Sequence, residues 1–364
     1  MTSGLYVGLM SGTSLDGVDA ALVDFSESMP RVVKHAHLPF DDRLRAELLA
    51  LAAPGPDDLG RAANLANELA RRYAAAVAAA LEGSGITQRD VIAIGCHGQT
   101  VRHRPDLGYT IQLGNAALLA ELTALRVVAD FRSRDVAAGG QGAPLVPAFH
   151  AAVFARHGED RAVLNLGGIA NLTLLSREGR VTGFDSGPGN CLMDLWAARH
   201  LGMPCDRDGA WASGGSVMEK LLDEWLRTPF FSAPPPKSTG REMFGEAWLR
   251  RKLPPDAAPQ DVQATLLELT ARSIAAALQL AGFSAQRVIA CGGGTRNRAL
   301  MCRIQMLLRP AQVESSSQYG LDPQLVEAVA FAWLAMQALN DQPASIPAVT
   351  GARGPRVLGA IYPA

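Results

Sequence analysis

The sequence has no surplus of charge of either sign: 34 Lys and Arg residues face 35 Asp and Glu, a formal net charge of -1. Proteins that wrap nucleic acid neutralise many phosphates with Lys and Arg, so this balance argues against nucleic acid as a partner. Cysteine is sparse and odd in number, five in 364 residues. That argues against a disulfide framework and for a reducing compartment. No apolar run reaches the roughly 18 residues, free of charge and glycine, that a membrane span needs. The first residues carry no basic stretch ahead of their short apolar run, so they read as a strand and not as a secretion signal. The expected location is the cytoplasm. Several common signatures are also missing. There is no G-x-x-x-x-G-K-[ST], no strand followed by G-x-G-x-x-G, no G-x-S-x-G and no H-E-x-x-H. P-loop NTPases, dinucleotide enzymes, α/β-hydrolases and zincins are therefore poor templates.

What is present is 48% hydrophobic and 19% charged, the balance of a soluble globular α/β protein. The length suits two packed lobes better than one small core. Residues 5–10 read as a strand, residues 11–17 as a turn, and residues 18–25 as a strand pairing back in a hairpin. Helical patterns cover 42–52 and 57–81, the second with Leu59, Ala63, Ala66, Leu69 and Tyr73 on one face. Residues 91–95 form a short buried strand. A second glycine-rich hairpin spans 162–175, and the repetition of this unit points to an internal duplication. Asp185 ends a strand at 181–184, and Asn190 is placed to cap a helix from Cys191. The proline-rich stretch 228–241 reads as an extended surface loop. A strong amphipathic helix covers 262–280, a buried strand 288–291, and helices 297–308 and 324–339. Strands alternating with helices give an α/β class.

Three glycine-rich turns follow strands. The first, Ser11-Gly12-Thr13-Ser14-Leu15-Asp16-Gly17, combines hydroxyls, glycines and one carboxylate. Glycines let backbone N–H groups approach an anion, and an aspartate tolerates phosphate when a divalent cation lies between them. That suits Mg-nucleotide, with Asp16 on the metal side; the plainer alternative is an ordinary hairpin turn. The second, around Gly167 and Gly168, is a weaker signal, because Gly-Gly hairpins are common. The third, Gly292-Gly293-Gly294 up to Asn297, leaves room for a flat ring or ribose, or is simply a tight strand-to-helix turn. Asp185, on a Gly-Pro-Gly turn, is the candidate general base, or else a capping aspartate. His97, Gln99 and Thr100 follow a buried strand, where α/β proteins place ligand contacts. His97 and His103 lack the further ligands of a zinc site. Arg132 and Arg134 can grip a carboxylate bidentately or pair with Asp130 and Asp135. Glu327, in an otherwise apolar helix, either lines a cleft or sits on an exposed stripe.

The run Gly8-Leu9-Met10-Ser11-Gly12-Thr13-Ser14-Leu15-Asp16-Gly17-Val18-Asp19 resembles the opening of the anhydro-N-acetylmuramic acid kinases. The resemblance continues in order at Cys96-His97-Gly98-Gln99-Thr100, at residues 135–145 and at Asn165-Leu166-Gly167-Gly168-Ile169-Ala170-Asn171. It closes with Phe184-Asp185-Ser186-Gly187-Pro188-Gly189-Asn190, Pro235-Pro236-Lys237-Ser238-Thr239-Gly240-Arg241-Glu242 and Cys291-Gly292-Gly293-Gly294. Ser186 stands where the family more often has threonine, with the hydroxyl kept. The resemblance implies a two-lobed actin-like ATPase fold with duplicated ribonuclease H-like cores and an interlobe cleft. Residues 1–135 would form the first lobe and 136–364 the second, with a C-terminal helix able to return to the first. It implies ATP with Mg²⁺, a homodimer, and phosphorylation of 1,6-anhydro-N-acetylmuramic acid at O6 while water opens the ring, in murein recycling. By match, residues Gly12 through Asp19 hold ATP phosphates, Asp185 is the general base, and His97, Gln99, Thr100, Arg132 and Glu327 contact the sugar. Two rivals stay open at this level: another small-molecule kinase of the fold, and a nucleotide-binding regulatory ATPase.

Overall fold

The computed structural model describes residues 3–12, 14–240 and 243–364. The chain divides into two units. The first runs through Val153 and resumes at Leu325–Ala364; the second is Phe154–Gln324. The first unit thus extends beyond residue 135. Its helix Pro147–Phe154 brings the Phe149 ring to 5.9 Å from Trp333, in the helix Val326–Leu339 of the same unit.

In chain order the first unit has strands β1 (Leu5–Met10), β2 (Gly17–Asp24), β3 (Arg31–Pro39), β4 (Val91–Cys96), β5 (Gln99–Arg104), β6 (Tyr109–Leu113) and β7 (Val127–Ala129). The second has β8 (Arg161–Leu166), β9 (Ile169–Leu175), β10 (Val181–Pro188), β11 (Arg287–Cys291) and β12 (Gln312–Ser315), and β13 (Ala360–Tyr362) belongs to the first unit. The first sheet has the order β13-β7-β4-β1-β2-β3 and the second β10-β9-β8-β11-β12, while β5 and β6 form a separate ribbon. In both sheets the first three strands are antiparallel neighbours and the fourth and fifth run parallel to the first. Each unit therefore carries the ribonuclease H-like order, third-second-first-fourth-fifth, and the expected duplication is a property of the topology.

The strands read as near-continuous apolar runs because helices cover their faces. In the first unit Val7, Leu9, Val18 and Leu22 meet Leu65, Leu69, Tyr73 and Val77 of the helix Asp58–Leu81. Full burial of each such side chain is worth about 1.5–3 kcal/mol. The buried stripe of that helix differs from the expected one: Leu59 is 88% exposed and Ala63 is exposed. The fully buried stripe begins at Leu65. The helix Val326–Leu339 lies so close to β1 and β4 that a Cβ on Gly8 would sit 1.8 Å from the Ala328 carbonyl oxygen. One on Gly95 would sit 2.0 Å from that of Phe331. In the second unit Leu164, Leu172 and Phe184 pack on Val262, Leu266, Leu269 and Ile274 of the helix Pro259–Leu280.

Within the stretch 228–241, read as a surface loop, the described residues up to 240 depart from that expectation. Pro229–Ser232 is a short helix whose Phe230 and Phe231 are buried with Phe244, because the burial of two adjacent aromatics outweighs the chain-breaking prolines around them.

Candidate active site

The predicted site residues divide between the two units. In the first, the turn after β1 is drawn in by Leu15, whose N–H donates to the Gly12 carbonyl at 3.2 Å and whose φ is 56°. Burial of Leu15 and Val18 in the core holds this conformation; whatever these two offer a nucleotide is confined to their backbone. Gly17 is required by packing, since a Cβ there would lie 2.4 Å from the Leu38 carbonyl oxygen, whereas a Cβ on Gly12 would make only ordinary contact with Ser14, at 3.6 Å from its hydroxyl oxygen. Ser14 and Asp16 are exposed, with the Ser14 hydroxyl donating to Asp16 Oδ1 at 2.7 Å. Thr13 lies outside the described residues, as do Arg241 and Glu242. Asp19 bonds His37 Nδ1 at 2.8 Å. Burial raises its pKa, opposed by His37, and the neighbouring Asp16 raises it further.

The segment after β4 is tied to this turn by three hydrogen bonds. His97 N–H donates to Leu9 O (3.1 Å), the Ser11 hydroxyl to Gly98 O (3.1 Å) and Gln99 Nε2 to Gly12 O (3.2 Å). Ser11 also bonds the Tyr73 hydroxyl at 2.8 Å. Because Ser11 gives its proton to Gly98, Tyr73 is the donor in that pair. Ser11 and Tyr73 are both buried. The sequence offers Ser11 as a hydroxyl of the turn and Tyr73 as part of a helix face, but not their pairing, since they lie 62 positions apart.

His97 is 4% exposed and tilts against the Phe331 ring at 4.7 Å. Arg132 donates to its Nε2 from two nitrogens, at 2.9 and 3.2 Å, and from Nη1 to Gly142 O at 2.8 Å. A guanidinium can only donate, so His97 carries its proton on Nδ1, which has no hydrogen-bond partner among the described residues. Burial, then the Arg132 charge, pushes the His97 pKa down to about 3. Arg132 therefore holds a histidine and a carbonyl and makes no ion pair with Asp130 or Asp135. Ser133 bonds Asp130, while Gly142 N–H and Thr350 take Asp135. Glu327, in the first turn of its helix, has its pKa raised by burial, opposed by the nearby Arg132. Burial also lowers Arg132 to about 10. Thr100 accepts from Gln112 across the β5–β6 ribbon. A cavity of about 310 Å³ lies beside this cluster, lined by Tyr73, Cys96, Gln112 and Asn115 among others. Of the predicted sugar contacts it takes in His97 alone.

In the second unit Asp185 lies within β10, opposite Asn171, at a register shift between Asp185 and Gly187. The strand thus runs past it to Pro188 and does not end before it, and the shift is the bulge that re-aims side chains. Asp185 N–H donates to Lys237 O at 3.0 Å, and Asp185 Oδ2 accepts from Thr239 N–H at 2.9 Å. The carbonyls of Gly167 and Gly168 accept from the N–H groups of residues 189–191. Asn190 precedes the helix Cys191–Leu201 as expected, yet its side chain makes no cap and donates to Leu166 O at 3.0 Å. Gly292, at φ 85°, and Gly294 leave no room for a Cβ, which would meet Asn165, Leu166 or Asn190 within 2.9 Å; Gly293 is open. Second hairpin and late glycine turn therefore meet within one unit. Asn297 is a helix cap, its Oδ1 accepting from Leu300 N–H.

The family model for anhydro-N-acetylmuramic acid kinase matches residues 4–364. The chain belongs to that family. Anhydro-N-acetylmuramic acid kinases of Bordetella petrii and Nitrosospira multiformis are 57% and 53% identical to it, covering 99% and 100% of this chain and 96% and 100% of their own. Among solved structures, an activator of 2-hydroxyisocaproyl-CoA dehydratase from Clostridium difficile shows a TM-score of 0.48 at 11% identity, over 92% of this chain and 96% of its own.

Proposed function

We propose that the chain is an ATP-dependent kinase that converts 1,6-anhydro-N-acetylmuramic acid and water to N-acetylmuramic acid 6-phosphate, in murein recycling. The observation that carries the mechanism is Asp185, held at a strand bulge with one carboxylate oxygen pinned by the Thr239 N–H.

The anhydro sugar has no free O6 hydroxyl, since O6 is bonded to C1. A base on the enzyme must therefore deprotonate water. The water oxygen bonds C1, the C1–O6 bond breaks, and O6 takes the γ-phosphoryl group as ADP leaves. Asp185 receives the water proton, later returned to solvent. One displacement with one base gives inversion at C1. In the first unit, Gly12, Ser14 and Asp16 are the proposed nucleotide contacts. The exposed Asp16 carboxylate beside a hydroxyl fits Mg²⁺ arriving with the nucleotide, because such a cation takes one or two protein carboxylates plus phosphate oxygens. Bound there, the cation supplies neutralisation of phosphate charge. His97, Gln99, Thr100, Arg132 and Glu327 are the proposed sugar contacts, with the neutral His97 and the charged Arg132 held rigidly against one another. In the second unit, the open face at Gly293 is the proposed place for adenosine. A cytoplasmic homodimer completes the proposal.

Asp185→Asn tests it. Release of ADP, coupled to a spectrophotometric readout, should fall by about 10²–10⁴-fold, the scale of general base catalysis, with ATP binding retained. Turnover at the normal rate in that variant would remove Asp185 from the base role.

A further inference from the structure

The motif at residues 235–242 carries part of the family resemblance, yet the scheme above uses only one backbone N–H of it, that of Thr239. Its middle is built onto the candidate base. Lys237 O accepts from Asp185 N–H, and two residues later Thr239 N–H donates to Asp185 Oδ2. This clamp is itself anchored. The Lys237 ammonium donates to the carbonyls of Phe230 and Phe231 at 3.0 and 3.3 Å and lies 4.7 Å from the Phe230 ring centre. The Phe231 ring fills the space over the bulge, where a Cβ on Gly187 would meet it at 2.6 Å. The segment is therefore held by its backbone, by a cation and by an aromatic wedge, and none of these fixings uses the Thr239 side chain.

The Thr239 Oγ1 atom is buried and has no hydrogen-bond partner among the described residues. Buried hydroxyls in folded proteins are almost always paired, with protein or with a bound molecule. We propose that Thr239 completes the seat of the nucleophilic water, its hydroxyl oxygen accepting the hydrogen that Asp185 does not take. The proposal rests on the reading of Asp185 as the base. Water has two hydrogens to dispose of while one lone pair faces C1. Asp185 removes the first as the O–C1 bond forms; Thr239 holds the second, which stays on the new C1 hydroxyl. With Oδ2 occupied by the Thr239 N–H, both contacts to water come from one rigid corner.

Thr239→Val removes the hydroxyl, keeps the shape and leaves the N–H that pins Asp185. We expect kcat to fall about 10²–10³-fold, as for loss of one oriented hydrogen bond in a reaction centre. The KM for ATP should stay unchanged, because no ground-state contact to the nucleotide is removed. The melting temperature should hold or rise, because an unpaired buried hydroxyl contributes nothing to the fold. Thr239→Ser should restore most of kcat. A Thr239→Val enzyme with normal kcat overturns the proposal, as does a loss of kcat that tracks a loss of melting temperature in both variants. If the valine variant does not fold, Thr239→Ala carries the same readout. Asp185→Asn separates the two levels. An inactive Asp185→Asn beside a normal Thr239→Val sinks only the role of Thr239, whereas an active Asp185→Asn sinks the base itself.

Discussion

Adding one methyl group at Gly95 should loosen the helix that carries Glu327. Gly95 lies in β4, and a Cβ built on it falls 2.0 Å from the Phe331 carbonyl oxygen and 2.7 Å from the carbonyl carbon. Both atoms belong to helix backbone, so no side chain can swing aside. The helix has to retreat by about 1.4 Å before reaching ordinary van der Waals separation. Overpacking of this kind costs about 1–3 kcal/mol, and the backbone-on-backbone clash places Gly95→Ala at the upper end. For a unit of this size about 3 kcal/mol corresponds to a melting temperature lower by roughly 6–12 °C. The shift has a functional signature as well, because the first turn of the same helix carries Glu327, whose charge acts on Arg132. The KM for the anhydro sugar should rise by about tenfold, a weakening of about 1.4 kcal/mol, with the KM for ATP little changed. Thermal melts and coupled ADP release on Gly95→Ala read both. A variant that melts within about 1 °C of the parent, with an unchanged KM for sugar, would refute the reasoning.

Other expectations concern the histidines and Arg132. His97 and His150 are both held neutral, their pKa pushed down to about 3, His97 by burial and then the Arg132 charge, His150 by burial. The unfolded chain binds those protons near pH 6.5 and the fold only near 3, so stability is full above about pH 6.5 and declines as pH falls toward 3, by about 1.4 kcal/mol per pH unit for each histidine. Urea melts of His150→Gln should show a shallower decline over that window; an identical decline would contradict the assignment. Arg132→Lys cannot reproduce the paired contacts to His97 together with that to Gly142. We expect a KM for sugar higher by about 10- to 100-fold, the worth of a lost charged hydrogen bond, with the KM for ATP unchanged. Equal rises in both would place Arg132 elsewhere.

Much of this was legible in the sequence because the central strands are short apolar runs ended by glycine. Residues 5–10 and 91–95 stood out for that reason, and both phosphate-type hairpins were visible as repeated units. The edge strand β3 was not, because Lys34, His35 and His37 break its alternation and its side chains are mostly exposed or half-buried. The ribbon of β5 and β6 was hidden likewise by polar residues at Arg102, His103 and Arg104. At the site, the residue types were readable but not their partners. The pairing of Arg132 with His97 spans 35 positions and that of Asp185 with Thr239 spans 54. Pairs at such separation leave no periodic trace. Asn190 shows the converse: its place before a helix suggested a cap, and only the fold reveals that its amide meets the Leu166 carbonyl instead.

In the proposed reaction, water activated by Asp185 opens the anhydro ring as O6 is phosphorylated. The direct measurement is mass spectrometry of the product formed in ¹⁸O-water and analysed before anomeric exchange. One labelled oxygen at C1 and none in the phosphate is the expected result. An unlabelled product, or label in the phosphate group, would contradict it.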